Sequence, residues 1–178
     1  MGIVLSLYDY TGEALKPWAD AGHECYAFDI QHDPHEITKE YYGNGSIEYH
    51  HADLHDPQSF VDIKRNLPFM GQPVIFGMAF PVCTDLAVSG AAWFKKKAEA
   101  NPWFQDEAVN HAMTCARFYE ELGVPYFIEN PVSVLATKWR KPDYSFHPYE
   151  YGGYIEDDAA EHPRWPEYIA PRDAYKKK

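Results

Sequence analysis

Short apolar runs alternate along the chain with polar, turn-rich segments, in the rhythm of a βα repeat. Residues 3–8 are apolar and give way at once to Asp9, Tyr10, Thr11, Gly12 and Glu13, which reads as a strand opening into a loop. A short helix is predicted over 14–21, with Pro17 confined to its first turn and Gly22 as its stop. Residues 23–30 read as a second strand ending in Asp29 and Ile30. Residues 31–49 look polar and irregular, and a third strand is predicted over 47–53, ending in Asp53 beside Leu54. Asp56 caps a helix that has Pro57 at its first position and runs through Phe60, Val61, Ile63 and Lys64. A fourth strand over 72–77 is apolar enough to lie inside a sheet covered on both faces. A loop over 85–90 and a helix over 91–100 follow, broken by Asn101 and Pro102. Ala108, Ala112, Cys115, Phe118, Tyr119 and Leu122 then recur at helical spacing before the stop at Gly123, which places Cys115 in a buried stripe. A fifth strand is predicted over 124–128, a strand-like alternation over 144–149 and an irregular acidic, proline-rich loop over 155–172. The pattern predicts an α/β fold: one domain over 1–178 with a mostly parallel sheet and helices on both faces.

Two strand ends carry candidate chemistry. The apolar run from Phe76 ends in Pro81, Val82, Cys83 and Thr84, and the fifth strand ends in Glu129 and Asn130. One helical connection separates the two strands, so a right-handed crossover makes them neighbours in a parallel sheet, with Cys83 and Glu129 at adjacent tips. The first strand, the Gly12 loop, the helix and Asp29 form a nucleotide-binding half unit. The glycine lets a ligand approach the backbone, and the acid can accept bonds from ribose hydroxyls. Plainer readings stand beside these. Cysteine is commonly a small buried hydrophobe, and an ordinary βαβ unit can end in a solvated acid such as Asp29.

Composition narrows the function classes. Apolar residues make up 46% of the chain and aromatics 16%, which excludes a disordered segment. The formal charge of −11 argues against a protein whose whole surface grips nucleic acid, while leaving room for local basic patches. Lys138, Trp139, Arg140 and Lys141 form one such cluster, suited to a phosphate backbone or a stacked base, or to a solvated loop around one packed tryptophan. His32, His35, His50 and His51 lack metal-ligand spacing, and the ligand pattern of a zinc deaminase is absent. Cys25, Cys83 and Cys115 are odd in number, and no signal-peptide pattern or membrane-length apolar run is seen. A soluble protein in a reduced, cytoplasmic setting is expected.

The combination of Pro81-Val82-Cys83 after an apolar strand, Glu129-Asn130 at the next strand tip, the Thr11-Gly12 loop and Asp29 resembles the cytosine-5 DNA methyltransferases. It is most similar to a short, phage-type branch without a target-recognition domain, over residues 4 to about 153, including FPVCTDLAVSGA and HPYEYG. The resemblance implies a Rossmann-like S-adenosylmethionine-dependent methyltransferase fold, here incomplete at its C-terminal strand. Cys83 would attack carbon 6 of cytosine, and Glu129 would protonate or hydrogen-bond ring nitrogen 3. Tyr8, Tyr10, Thr11, Gly12, Asp29, Ile30, Asp53 and Leu54 would surround S-adenosylmethionine, with Asp29 at the ribose and Asp53 near the adenine amino group. Pro81, Asn130 and Arg140 would contact the substrate, which is DNA or a cytosine nucleotide, and a duplex would have to release its cytosine from the stack. The family's FxGxGG loop keeps one glycine of three in Tyr8-Asp9-Tyr10-Thr11-Gly12-Glu13, and no QxRxR motif follows Glu129. These departures leave room for a separate protein partner that supplies DNA recognition, and for one alternative role: a binding module of the same fold acting as partner or inhibitor of nucleic-acid enzymes.

Overall fold

The computed structural model describes residues 1–147 and 150, and Met1–Arg140 forms one compact unit. Its frame is a six-stranded sheet of β1 (Ile3–Leu7), β2 (Glu24–Asp29), β3 (Thr38–Tyr42), β4 (Gly45–His51), β5 (Val74–Ala79) and β6 (Tyr126–Ile128), in the order β3-β4-β2-β1-β5-β6. All neighbours are parallel except β3 with β4. The helices are α1 (Lys16–Asp20), α2 (Pro57–Asn66), α3 (Phe94–Ala100), α4 (Phe104–Leu122) and α5 (Leu135–Lys138).

All five residues of β1 are buried, because helices cover both sides of the sheet and leave no solvent face to a central parallel strand. Ile3, Leu5 and Leu7 pack with Phe60 and Ile63 of α2 and with Cys115, Phe118 and Tyr119 of α4. Val4, between them, points to the opposite face and joins Leu15, Ala19, Ile47 and Met78 beneath α1. The predicted α/β class and mostly parallel sheet thus hold. Asp56 caps α2 by accepting from the Gln58 amide at 2.9 Å, with Pro57 at the first position, and Gly123 stops α4 in the left-handed conformation (φ 68°).

Four expectations need correction. Residues 31–49 are not irregular, since β3 and β4 form an antiparallel hairpin closed by Gly43 (φ 52°) and Asn44. An edge strand meets water on one side and needs no apolar alternation, and its stability comes from cross-strand contacts. Lys39 pairs with Glu48 at 2.7 Å, and Tyr42 and Tyr49 both donate to Glu40, at 2.6 and 3.0 Å. The fourth strand starts at Val74 rather than Gln72, because Pro73 has no N–H for a ladder and only its carbonyl is used, accepting from the Ile3 amide at 2.8 Å. The helix predicted over 91–100 is a 3-10 segment, Val88–Trp93, leading into α3, so part of the expected 85–90 loop is helical too. Residues 144–147 of the predicted 144–149 strand are not extended into a ladder; residues 148–149 and the 155–172 loop lie outside the described residues. Among the described residues no helix is long and apolar enough to cross a membrane.

One contact sets the spacing of α4 against the sheet. Tyr119 is fully buried, and its hydroxyl lies 2.7 Å from the Met78 carbonyl, to which it donates, and 3.2 Å from that of Leu5. Its ring occupies the space where Gly77 lacks a side chain, and a Cβ there would overlap it. Tyr119→Phe is expected to cost about 1–2 kcal/mol, the price of an unpaired buried carbonyl, and Gly77→Ala about 1–3 kcal/mol from overpacking. Urea unfolding checks both, and a change under about 0.5 kcal/mol at either site would contradict this account of the contact.

Candidate functional site

The chain leaves β1 toward β2 on one side and later returns to β5 on the other, so the loops after β1 and β5 diverge. Such a reversal of strand order opens a crevice at the carboxyl ends of the strands, where open α/β sheets bind ligands. The Phe80 amide donates to the Leu7 carbonyl at 3.0 Å, which keeps the two strands paired up to its edge.

On the β5 side the backbone is closely tied. The Cys83 carbonyl accepts from the amides of Leu86 (2.9 Å) and Ala87 (2.8 Å), and Leu86 is fully buried beneath the turn. Lys97 of α3 donates to the Thr84 carbonyl at 3.2 Å and pairs with the Asp85 carboxylate. The adjacent loop after β6 is stitched to this one. Glu129 donates its amide to Ala79 at 2.9 Å, Val88 donates to Val132 and Val134 to Leu86, each at 3.0 Å, and Asn130 Nδ2 donates to the Pro81 carbonyl at 3.2 Å. The structure therefore brings Cys83, Pro81, Glu129 and Asn130 to neighbouring strand ends, as expected. Arg140 lies at the exit of α5, its amide on the Leu135 carbonyl (3.0 Å) and its side chain exposed.

The three cysteines differ in kind. Cys25 and Cys115 are buried, and burial pushes each thiol up to about 12. Neither is an available nucleophile near neutral pH. Cys83 is only half-buried.

Across the crevice, Tyr8 leaves β1 in the left-handed conformation (φ 57°), uncommon for an aromatic residue and of the kind found at ligand sites. It is held by its hydroxyl, which donates to the Leu54 carbonyl at 2.9 Å, and burial first, then Cys115, Asp53 and Asp29, raises its pKa. Asp9, buried, accepts from Ser6 Oγ and from the Gly12 amide, both at 2.7 Å, and so shapes the loop. Gly12 has φ 70°, and a Cβ there would lie 2.7 Å from the Tyr49 hydroxyl. Packing against Tyr49 alone thus demands glycine. Thr11 Oγ1 faces the Glu13 amide at 3.4 Å, and the Tyr10 ring leans on His32 with centroids 5.4 Å apart.

Asp29 ends β2, its Oδ1 accepting from the Gln31 amide at 2.9 Å, and Ile30 beside it is 55% exposed. Asp53 accepts from the His55 amide at 3.0 Å, whereas the Leu54 side chain is buried in the core. A cleft of about 410 Å³ lies behind this corner, lined by Phe28, Ile37, His50, His51, Ser59 and Asp62 among others, and contains none of the predicted site residues.

Sequence reasoning missed Asp9, His32 and Tyr49, the residues that hold the loop. The His32 ring nitrogen lies 3.2 Å from the Asp9 carbonyl. An acid three residues before a glycine was the available signal for Asp9, and nothing local marks His32 or Tyr49. Also missed was the stacking of His55 on His111, with centroids 4.0 Å apart next to Tyr8.

Comparisons of the chain with protein-family models, with curated proteins and with solved structures find no match. The arrangement of its own side chains is therefore the basis for any functional reading.

His111 is held below its ordinary value of 6.5, first by burial and then by His55, with Glu107 and Asp53 opposing. A depressed histidine stabilises the fold above the unfolded pKa, and that contribution is lost as pH falls through the folded one. Thermal stability is therefore expected to drop on acidification below about 6.5, and His111→Gln should flatten the drop. Scanning calorimetry between neutral and mildly acidic pH tests this; parallel profiles for the two proteins would rule out the His55–His111 stack as a source.

Proposed function

We propose that the chain is a cytosine-5 methyltransferase of Rossmann-like fold, which uses S-adenosylmethionine to alkylate cytosine in DNA or a cytosine nucleotide. The observation that carries this is the placement of a half-buried Cys83 and of Glu129 on the loops after the adjacent strands β5 and β6, next to the loop after β1 at the switch-point crevice.

The residues on the β2 side suit an adenosyl group. Asp29, buried at the end of β2 with its Oδ1 accepting from the Gln31 amide, brings a carboxylate to the ribose side, exposed Ile30 offers an apolar face for a ring, and exposed Asp53 an acceptor for an amino group. When bound, S-adenosylmethionine supplies an electrophilic methyl group. Cys83 prepares the substrate to receive it. Its thiolate bonds to carbon 6 while Glu129 gives a proton to nitrogen 3, so that the carbon 5–6 π pair becomes nucleophilic at carbon 5. Once carbon 5 is methylated, its proton leaves to solvent, the sulfur–carbon 6 bond breaks to return the thiolate, and nitrogen 3 returns its proton to Glu129. The turn accepted by the Cys83 carbonyl and the Asn130–Pro81 bond fix the thiol relative to Glu129, which matters because such steps depend on near-attack geometry.

One observation favours a second reading. The Gly12 amide is already taken by Asp9 and the space at Gly12 is filled by Tyr49, as in a loop that holds no ligand. A binding module of the same fold, acting on or with a nucleic-acid enzyme, would have this property.

An oligonucleotide carrying 5-fluorocytosine separates the readings, since fluorine at carbon 5 blocks the final proton loss. Intact-mass spectrometry is expected to show a covalent adduct that needs S-adenosylmethionine and vanishes in Cys83→Ala, with Glu129→Gln slowing adduct formation by about 10²- to 10⁴-fold. Cofactor binding by calorimetry without any adduct would sink the methyltransferase reading, and no cofactor heat at all would favour the binding module.

A further inference from the structure

The chain's charge is unevenly placed around the crevice. Residues 79–103 and 130–140 carry Lys95, Lys96, Lys97, Lys138 and Arg140 against only Asp85 and Glu99, whereas acids outnumber bases by more than two to one elsewhere. These segments form one rim: the loops after β5 and β6 join through the antiparallel Ala87–Ser133 bridge, and Lys97 holds α3 to the Cys83 turn. Lys97 and Lys138 are engaged with Asp85 and Asp106, which leaves Lys95 and Lys96 exposed along α3.

Aromatic and apolar surface accompanies that charge. Trp93 is 62% and Trp103 66% exposed, one at each end of the α3 segment. Phe94 and Phe104, the residues that follow them, pack ring on ring with centroids 5.7 Å apart. The 3-10 segment that ends at Trp93 is tucked against the Cys83 turn, since a Cβ on Gly90 would sit 3.4 Å from the Thr84 carbonyl. Val82, Val88 and Val132 are exposed on the two stitched loops.

We propose that this rim binds single-stranded DNA, with Trp93 and Trp103 as stacking platforms for bases and Lys95 and Lys96 on the phosphates, delivering an already unstacked cytosine to Cys83. That last clause rests on the methyltransferase reading; the binding surface does not. Exposed indole faces suit a strand whose bases offer free π-faces, which a duplex hides in its stack. The few cations of this rim fall short of the phosphate contacts of a duplex site, and a single strand needs no base flipping.

Fluorescence anisotropy with a labelled oligodeoxycytidine of about ten nucleotides tests the surface. Wild type should bind it more tightly than a duplex of equal length. Trp93→Ala and Trp103→Ala should each weaken binding by about 5- to 100-fold. The Lys95→Gln/Lys96→Gln double variant should flatten the slope of log affinity against log salt by about 1.4. Equal or tighter binding of the duplex, or tryptophan variants that keep wild-type affinity with an unchanged circular dichroism spectrum, would overturn the proposal. If a tryptophan variant misfolds, the salt slope of the lysine variant decides, and an unchanged slope counts against the surface. Oligonucleotide binding without a fluorocytosine adduct would remove the chemistry and keep the surface. An adduct with 5-fluorodeoxycytidine monophosphate but no oligonucleotide binding would do the reverse.

Discussion

The candidate site depends on how closely α4 can approach β5. Gly77 leaves a gap in the strand, Tyr119 fills it, and the tyrosine hydroxyl ties the helix to the Met78 carbonyl one residue on. Because α4 is the crossover between β5 and β6, its depth helps set where β6 lies beside β5 in a register that aligns Ala79 with Ile128. The next residues on each strand lead to Cys83 and Glu129. A buried contact away from the strand ends thus helps set which two loops lie side by side there, and close-packed interiors transmit such constraints with little slack.

The two walls of the crevice are built differently. The β5 and β6 loops are held by backbone hydrogen bonds between loops, by Asn130 on Pro81 and by Lys97 on Thr84. The β1 loop is held from within, by Asp9 on Gly12 and by Tyr49 and His32 behind it. Main-chain hydrogen bonds between neighbours survive most side-chain substitutions, whereas a loop organised by one carboxylate is sensitive to a single change.

Much of this was legible from the chain because periodicity reports burial. The continuous apolar runs of β1, β2 and β5 mark strands covered on both faces, and the stripe from Ala108 to Leu122 marks α4 and assigns Cys115 to the core. Strand adjacency followed from one crossover and its handedness. The hairpin of β3 and β4 was not legible by the same route, because Thr38–Tyr42 gains its stability from Lys39, Glu40 and Tyr42 at a solvated edge rather than from buried alternation. Its one local signal was Gly43-Asn44 between tyrosine-rich flanks. The roles of His32 and Tyr49 were hidden for another reason: His32 reaches Asp9 across 23 residues, and Tyr49 reaches His32 and Gly12 from another strand, through contacts that exist only once the sheet has formed.

The departure of the first loop from a three-glycine pattern can now be read in physical terms. The one glycine that remains is the one that packing requires, since φ at Gly12 is positive and Tyr49 fills the space of a side chain. Tyr10 and Glu13 occupy the other two positions, and Tyr10 is turned against His32. A ligand that needed the backbone bare at those positions would be excluded there. One that enters over Ile30 and Asp29, from the β2 side, would meet an exposed apolar residue and a strand-end carboxylate instead. A cofactor in this crevice would therefore draw its affinity more from the β2 and β4 ends than from the β1 loop. The strain stored at Tyr8, whose hydroxyl spans from β1 to the Leu54 carbonyl beyond β4, lies where those two halves of the pocket would have to be held together.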